Sequence, residues 1–177
     1  MSSTFLSELE RLSKTLGAGS DTTDELSLPA LAEKLAKHLN VKVDEVAILG
    51  VSHRWKHLHF IIPVALKNVG FIPLTSNSAL AARTVRENRP EINNTFPAAR
   101  HASVFEGVKA VTTSGESIQK IVSAPILCEG NVVGVMQISR KGNTPIEAGP
   151  DFTAEDLKKV LSLTRPIGNL VKLWAGE

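Results

Sequence analysis

Ile121-Val122-Ser123-Ala124-Pro125-Ile126-Leu127-Cys128-Glu129-Gly130-Asn131-Val132-Val133-Gly134-Val135-Met136-Gln137-Ile138-Ser139 is the stretch whose reading decides the fold. Two runs rich in β-branched residues flank Glu129-Gly130-Asn131, which is turn chemistry, so the stretch reads as an antiparallel β-hairpin. Alternation sends Val133 and Val135 to one face and Met136 and Ile138 to the other. Both faces are then largely apolar. A sheet of this kind must be covered on both sides, which predicts an α+β domain in three layers, α/β/α.

The covers are expected from the two ends of the chain. After the hairpin, Thr153 reads as an N-cap, Asp156 returns the cap, and Phe152 is stapled against Leu157. Beyond it, Leu157, Val160, Leu161, Thr164, Ile167 and Val171 make one stripe, and Leu163, Leu170 and Leu173 make a second. Two stripes need two partners. The first suits the sheet and the second a like surface on another copy, so a homodimer is expected, with Pro166 bending the helix. Before the hairpin, Phe5, Leu9, Leu12 and Leu16 mark an N-terminal helix, and residues 17–24 have linker chemistry. The division that follows is residues 1–24 as helix and linker and 25–177 as the domain. A second helix opens near Ser27 and Pro29, carries Leu28, Leu31, Leu35 and Leu39, and ends about Asn40.

Val46 to Val51, His57 to Ile62 and Phe71 to Leu74 read as strands, and Ser78 to Arg89 as a helix stopped by Pro90. Arg83, Arg86 and Arg89 fall on that helix's polar side, where they read as solubilising charge. Between Val51 and Phe60, three of the five histidines crowd together. Read as one strand, His53, Trp55, His57 and His59 share a face opposite Leu58, Phe60 and Ile62. A polar strand face explains this spacing, and without further ligands at metal-site spacing no metal is expected. The segment from Asn93 to Ser117 has no sustained period and is rich in hydrogen-bonding residues.

The 177 residues, 42% hydrophobic, suffice for one core; 20 basic against 18 acidic residues give a net charge of +2 and no electrostatic case for nucleic acid or an anionic membrane. One cysteine, Cys128, excludes an internal disulfide. A soluble, cytoplasmic protein is expected.

The helix ending in Arg89-Pro90, the Asn93-Asn94 turn, the Ala124-Pro125-Ile126 strand, Val133-Gly134-Val135-Met136, and Phe152-Thr153-Ala154-Glu155-Asp156-Leu157 together resemble the GAF domain family, over about Leu28 to Leu173. The resemblance implies a central antiparallel sheet of about six strands. Terminal helices would lie on one face, with a small-molecule pocket, loops and short helices on the other. Members are sensor or regulatory modules for cyclic nucleotides, bilins, haem, amino acids or other small metabolites, and many are ligand-free dimerisation modules. Cyclic-nucleotide-binding members carry Asn, Lys, Phe, Asp and Glu where this chain has Arg140, Lys141, Phe152, Asp156 and Leu157, so Lys, Phe and Asp are kept and Asn and Glu are not. A Lys141–Asp156 pair fixing loop to helix is expected. Bilin attachment needs a cysteine near the pocket, whereas Cys128 lies beside the hairpin turn.

The reading that results is a free-standing, small-molecule-binding sensory GAF domain, acting in signal transduction through a homodimer and a separate signalling partner protein. Its alternative is a ligand-free scaffold. An enzyme of the free methionine sulfoxide reductase branch comes third, because that branch uses several cysteines, and the chain is read as not an enzyme. The ligand would sit under the connection after the Ser78 to Arg89 helix, among Asn93, Asn94, Arg100, His101, Ser103 and Phe105. Arginine can fork two bonds to an oxyanion, asparagine donates and accepts, and phenylalanine covers a ring, which suggests a small anionic metabolite. No catalytic residue, metal or particular cofactor is assigned.

Overall fold

A computed structural model describes residues 2–17, 28–66, 70–96 and 117–175. In chain order these form α1 (Ser2–Gly17), α2 (Leu28–Leu39), β1 (Val46–Ser52), β2 (His57–Ile62), β3 (Phe71–Pro73), α3 (Leu80–Glu87), β4 (Glu91–Asn93), β5 (Ser117–Cys128), β6 (Asn131–Gly142), α4 (Pro145–Ala148) and α5 (Ala154–Trp174). The strands make one antiparallel sheet in the order β3-β2-β1-β6-β5-β4. Helices α1, α2 and α5 cover one face, and α3 packs on the other. The three layers and the six strands agree with expectation.

The central hairpin turns in two residues, Glu129 and Gly130, at φ 52° and 82°, the primed geometry that matches strand twist. Asn131 therefore belongs to β6, where it pairs with Cys128. Alternation in β6 departs from the sequence reading. Ile126 pairs with Gly134 but Leu127 with Val132, so Val133 is an extra residue in the ladder. This bulge turns Val133 to the helical side with Met136 and Ile138, and leaves Val135 on the α3 side. A similar shift between Ile48 and Leu49 makes Ile61 the extra residue of β2 and moves Ile62 away from Leu58 and Phe60 to the helical face. The stretch from 51 to 60 is two strands and a turn. His53 and Trp55 lie in the turn, so of the cluster only His57 and His59 share a strand face.

The α5 cap forms as read: Thr153 Oγ1 accepts from Asp156 N, and Asp156 Oδ2 accepts from Thr153 N at 2.8 Å. Two glycines let the helix rest on sheet backbone. A Cβ at Gly168 would strike the carbonyl oxygen of Leu127, and one at Gly134 would meet the carbonyl of Leu49 and, at 2.8 Å, Val171 Cγ1.

The second leucine stripe of α5 is not a free surface. Leu163 and Leu170 are buried with Leu9 of α1, which packs along α5, and only Leu173 is exposed. Helix α1 is tied to α2 as well, by a 2.8 Å ion pair of Glu8 with Lys34 and by the ring of Phe5 5.2 Å from that of His38. The apolar surface assigned to a second copy is thus covered within the chain. The expected linker lies outside the described residues.

Candidate functional site

Under α3 the sheet face changes character along its width. Leu49, Val51, Leu58, Phe60, Ile72 and Val135 fill the half below β1 to β3 and β6 with Ala79, which precedes α3, and Ala81 and Ala82 of α3, while Leu80, Phe96 and Ile121 form a second apolar group. Between them lies a buried polar node. Thr84 of α3, at 2% exposure, Ser123 of β5 at 0% and Gln137 of β6 at 2% meet there. Each is placed by its element: Thr84 by the helical period, Ser123 and Gln137 as register partners across the hairpin.

The hydrogen bonds of the node run in one direction. Thr84 Oγ1 donates to Leu80 O at 2.9 Å, so the 2.7 Å contact with Ser123 Oγ needs Ser123 as donor. Ser123 Oγ then accepts from Gln137 Nε2 at 3.1 Å. The amide orientation is thereby set, and Gln137 Oε1, buried, meets no hydrogen-bond partner among the described residues. A buried acceptor left unmatched costs about 1–3 kcal/mol, and a ligand N–H or O–H would recover that. Sequence reasoning passed over these residues. The available signal was the pair Ser123 and Gln137, polar side chains inside apolar strands, with Thr84 on the apolar side of its helix.

Of the residues proposed from sequence, Arg100, His101, Ser103 and Phe105 lie outside the described residues. Asn93 ends β4, and its Oδ1 accepts from Thr95 N at 2.9 Å. Asn94 clamps the chain before α5: Nδ2 donates to Phe152 O at 3.1 Å, and Oδ1 accepts from Phe152 N at 2.9 Å. The arginines of α3 and Arg89 beyond its end also have structural partners. Arg83 pairs with Glu91 at 2.5 Å, and Arg86 donates to Leu74 O and Ser76 O, while Arg89 pairs at the exposed surface with Glu87.

No protein-family model matches the chain, and no curated protein matches it in sequence. Solved structures do match in shape. The GAF domain of an Acinetobacter phosphoenolpyruvate-protein phosphotransferase superposes with a TM-score of 0.61 at 12% identity, covering 94% of this chain and 92% of that one. The A. aeolicus nlh2 GAF domain in an inactive state gives 0.58 at 14% identity, covering 97% and 96%. The fold is that of a GAF domain. The free methionine-R-sulfoxide reductase from Neisseria meningitidis, in complex with its substrate, is also similar, with a TM-score of 0.60 at 15% identity over 96% of this chain and 87% of that one. The shared shape therefore spans GAF domains of other proteins and a free methionine-R-sulfoxide reductase.

Within this GAF-like fold, Lys141 and Asp156 do not pair as expected. Lys141 Nζ donates to Asp44 O at 2.7 Å, while Asp156 caps its own helix. The strap between β6 and α5 is fastened instead by Lys120, whose buried ammonium donates to Gly149 O at 2.6 Å and pairs with Asp151 at 2.8 Å, and by Arg140 lying 4.7 Å over the Phe152 ring. Cys128 is on the helical side of the sheet, the side away from the polar node, and its thiol donates to Asn169 Oδ1 at 3.1 Å. No described helix is long and apolar enough to cross a membrane.

Proposed function

We propose that this GAF domain is a sensory module that binds a small molecule on the α3 side of its sheet and signals through a homodimer to a separate partner protein. Gln137 carries the reading, since a buried acceptor left without a donor among the described residues, beside a complete Thr84–Ser123 chain, is what a ligand N–H or O–H would complete. Arg100, His101, Ser103 and Phe105 are proposed to supply the remaining contacts, Arg100 to an acidic group on the ligand. Asn93 and Asn94 shape the edge of that site, both polar atoms of the Asn94 amide being bonded to Phe152.

The test is mass spectrometry of the denatured purified protein for a co-purifying molecule, followed by its affinity for variants. Gln137→Met, close in shape and without the acceptor, should weaken it about tenfold, and Arg100→Ala by about as much. Unchanged affinity in both variants would place the ligand elsewhere. The homodimer is read by light scattering at about tens of micromolar, where a monomer counts against it.

A ligand-free scaffold is the alternative, favoured by the packed side chains that fill the β1–β3 half of the same face. A catalytic role is not part of the proposal. The single thiol has no second cysteine with which to form the disulfide that several-cysteine reductase chemistry requires, and it sits behind the sheet.

A further inference from the structure

On the helical side of the sheet, at the opposite face from Gln137, the outer strands and the end of α5 hold a concavity of about 600 Å³ lined by Ser52, Arg54, Trp55, His57, His59, Phe71 and Ala175. Its size lies within the range of small-molecule sites, ~300–1,000 Å³. The walls are rings. His57 stacks on Phe71 with centroids 4.2 Å apart and planes 23° from parallel, and His59 meets His57 edge-on at 6.3 Å. Gly50, the register partner of His59, makes room for that imidazole: a Cβ there would stand 3.2 Å from it. At the rim the Arg54 guanidinium lies 5.0 Å from the centre of the Trp55 ring.

Trp55 is 65% exposed and Phe71 66%, an unusual display for two large aromatic side chains on one concave surface. Their flat faces suit a planar ring, because stacking recovers apolar area without requiring a particular hydrogen-bond pattern. The polar groups set the charge. The described lining carries a guanidinium and two imidazoles, groups that donate N–H bonds. A ring bearing an oxyanion satisfies both features at once, with its ring against Phe71 and Trp55 and its carboxylate or phosphate toward Arg54.

We propose that this concavity is a second binding site, for a planar aromatic anion, separate from the site under α3. A metal ion is the weaker use of the same imidazoles, since no group of three or more metal-ligating side chains gathers among the described residues.

The experiment is an NMR titration of the full chain with 2-naphthoate, following the Trp55 indole N–H signal, assigned by its loss in Trp55→Phe. The controls are 2-naphthalenemethanol, planar and neutral, and cyclohexanecarboxylate, anionic and not planar. A saturable shift with 2-naphthoate is expected, each control binding about tenfold more weakly. Arg54→Ala should erase the preference for naphthoate over the alcohol, and Phe71→Ala should weaken both aromatic probes. Gln137→Met should change neither, which separates this site from the one under α3. Absence of a saturable shift up to about 5 mM naphthoate, equal binding of all three probes, or unaltered binding in both surface variants would overturn the assignment. So would a shift produced by zinc alone and not by naphthoate.

Discussion

Ser123 holds two neighbours at once, donating to Thr84 and accepting from Gln137 in a site with no exposure to water. Ser123→Ala removes both bonds and leaves the buried Gln137 Nε2 unmatched, while Thr84 keeps its bond to Leu80 O. Urea unfolding should show a loss of about 1–3 kcal/mol, and the double variant with Thr84→Val should lose less than the sum of the two single changes. Another residue acts through its protons. His38, beside Phe5, has its pKa lowered from the ordinary 6.5, first by burial and second by the nearby Lys159 ammonium. Protonation is therefore easier in the unfolded chain, and stability should fall as pH drops through 6.5, levelling below the lowered folded-state value. His38→Gln should make the urea midpoint less sensitive between about pH 7.5 and pH 5.5; an identical pH profile would exclude the effect.

At the scale of elements, the position of α5 is set by backbone contact. Gly-to-Ala changes inside helices ordinarily stabilise, by about 0.5–1 kcal/mol. At Gly168 the sign should reverse, because the new methyl would be driven into the Leu127 carbonyl and lift the helix from β5. A loss of about 2 kcal/mol or more is expected in urea unfolding. An equally stable Gly168→Ala variant would show that the helix can shift without penalty. The apolar stripes of α5 did not by themselves reveal their partners. Periodicity identifies which residues want cover, but Leu163 and Leu170 found it in α1, a segment more than 140 positions away whose docking no local pattern encodes.

For the whole molecule, that docking makes α1 part of the core. Leu9 is fully buried, and its removal uncovers Leu163 and Leu170. A chain starting at residue 18 should lose at least the ~2–5 kcal/mol of one buried leucine, and light scattering should show it associating more than the full chain, through the bared α5 surface. Equal stability and an unchanged assembly state would return α1 to the role of an appendage.

Much of the fold was legible from local chemistry. The primed turn at Glu129-Gly130, the Thr153–Asp156 cap and the apolar strand runs are short-range devices, each complete within a few residues, and they set the order and type of the elements. What the sequence did not display was anything decided by one element meeting another. The bulges at Ile61 and Val133 exchange faces by a one-residue shift that an alternation pattern cannot register, and they depend on which partner strand is present. The node of Thr84, Ser123 and Gln137 joins positions 39 and 14 residues apart. Taken singly, each is an ordinary polar residue. Only packing α3 onto the hairpin removes water from all three, and with water gone the Gln137 oxygen is left without a hydrogen-bond partner among the described residues.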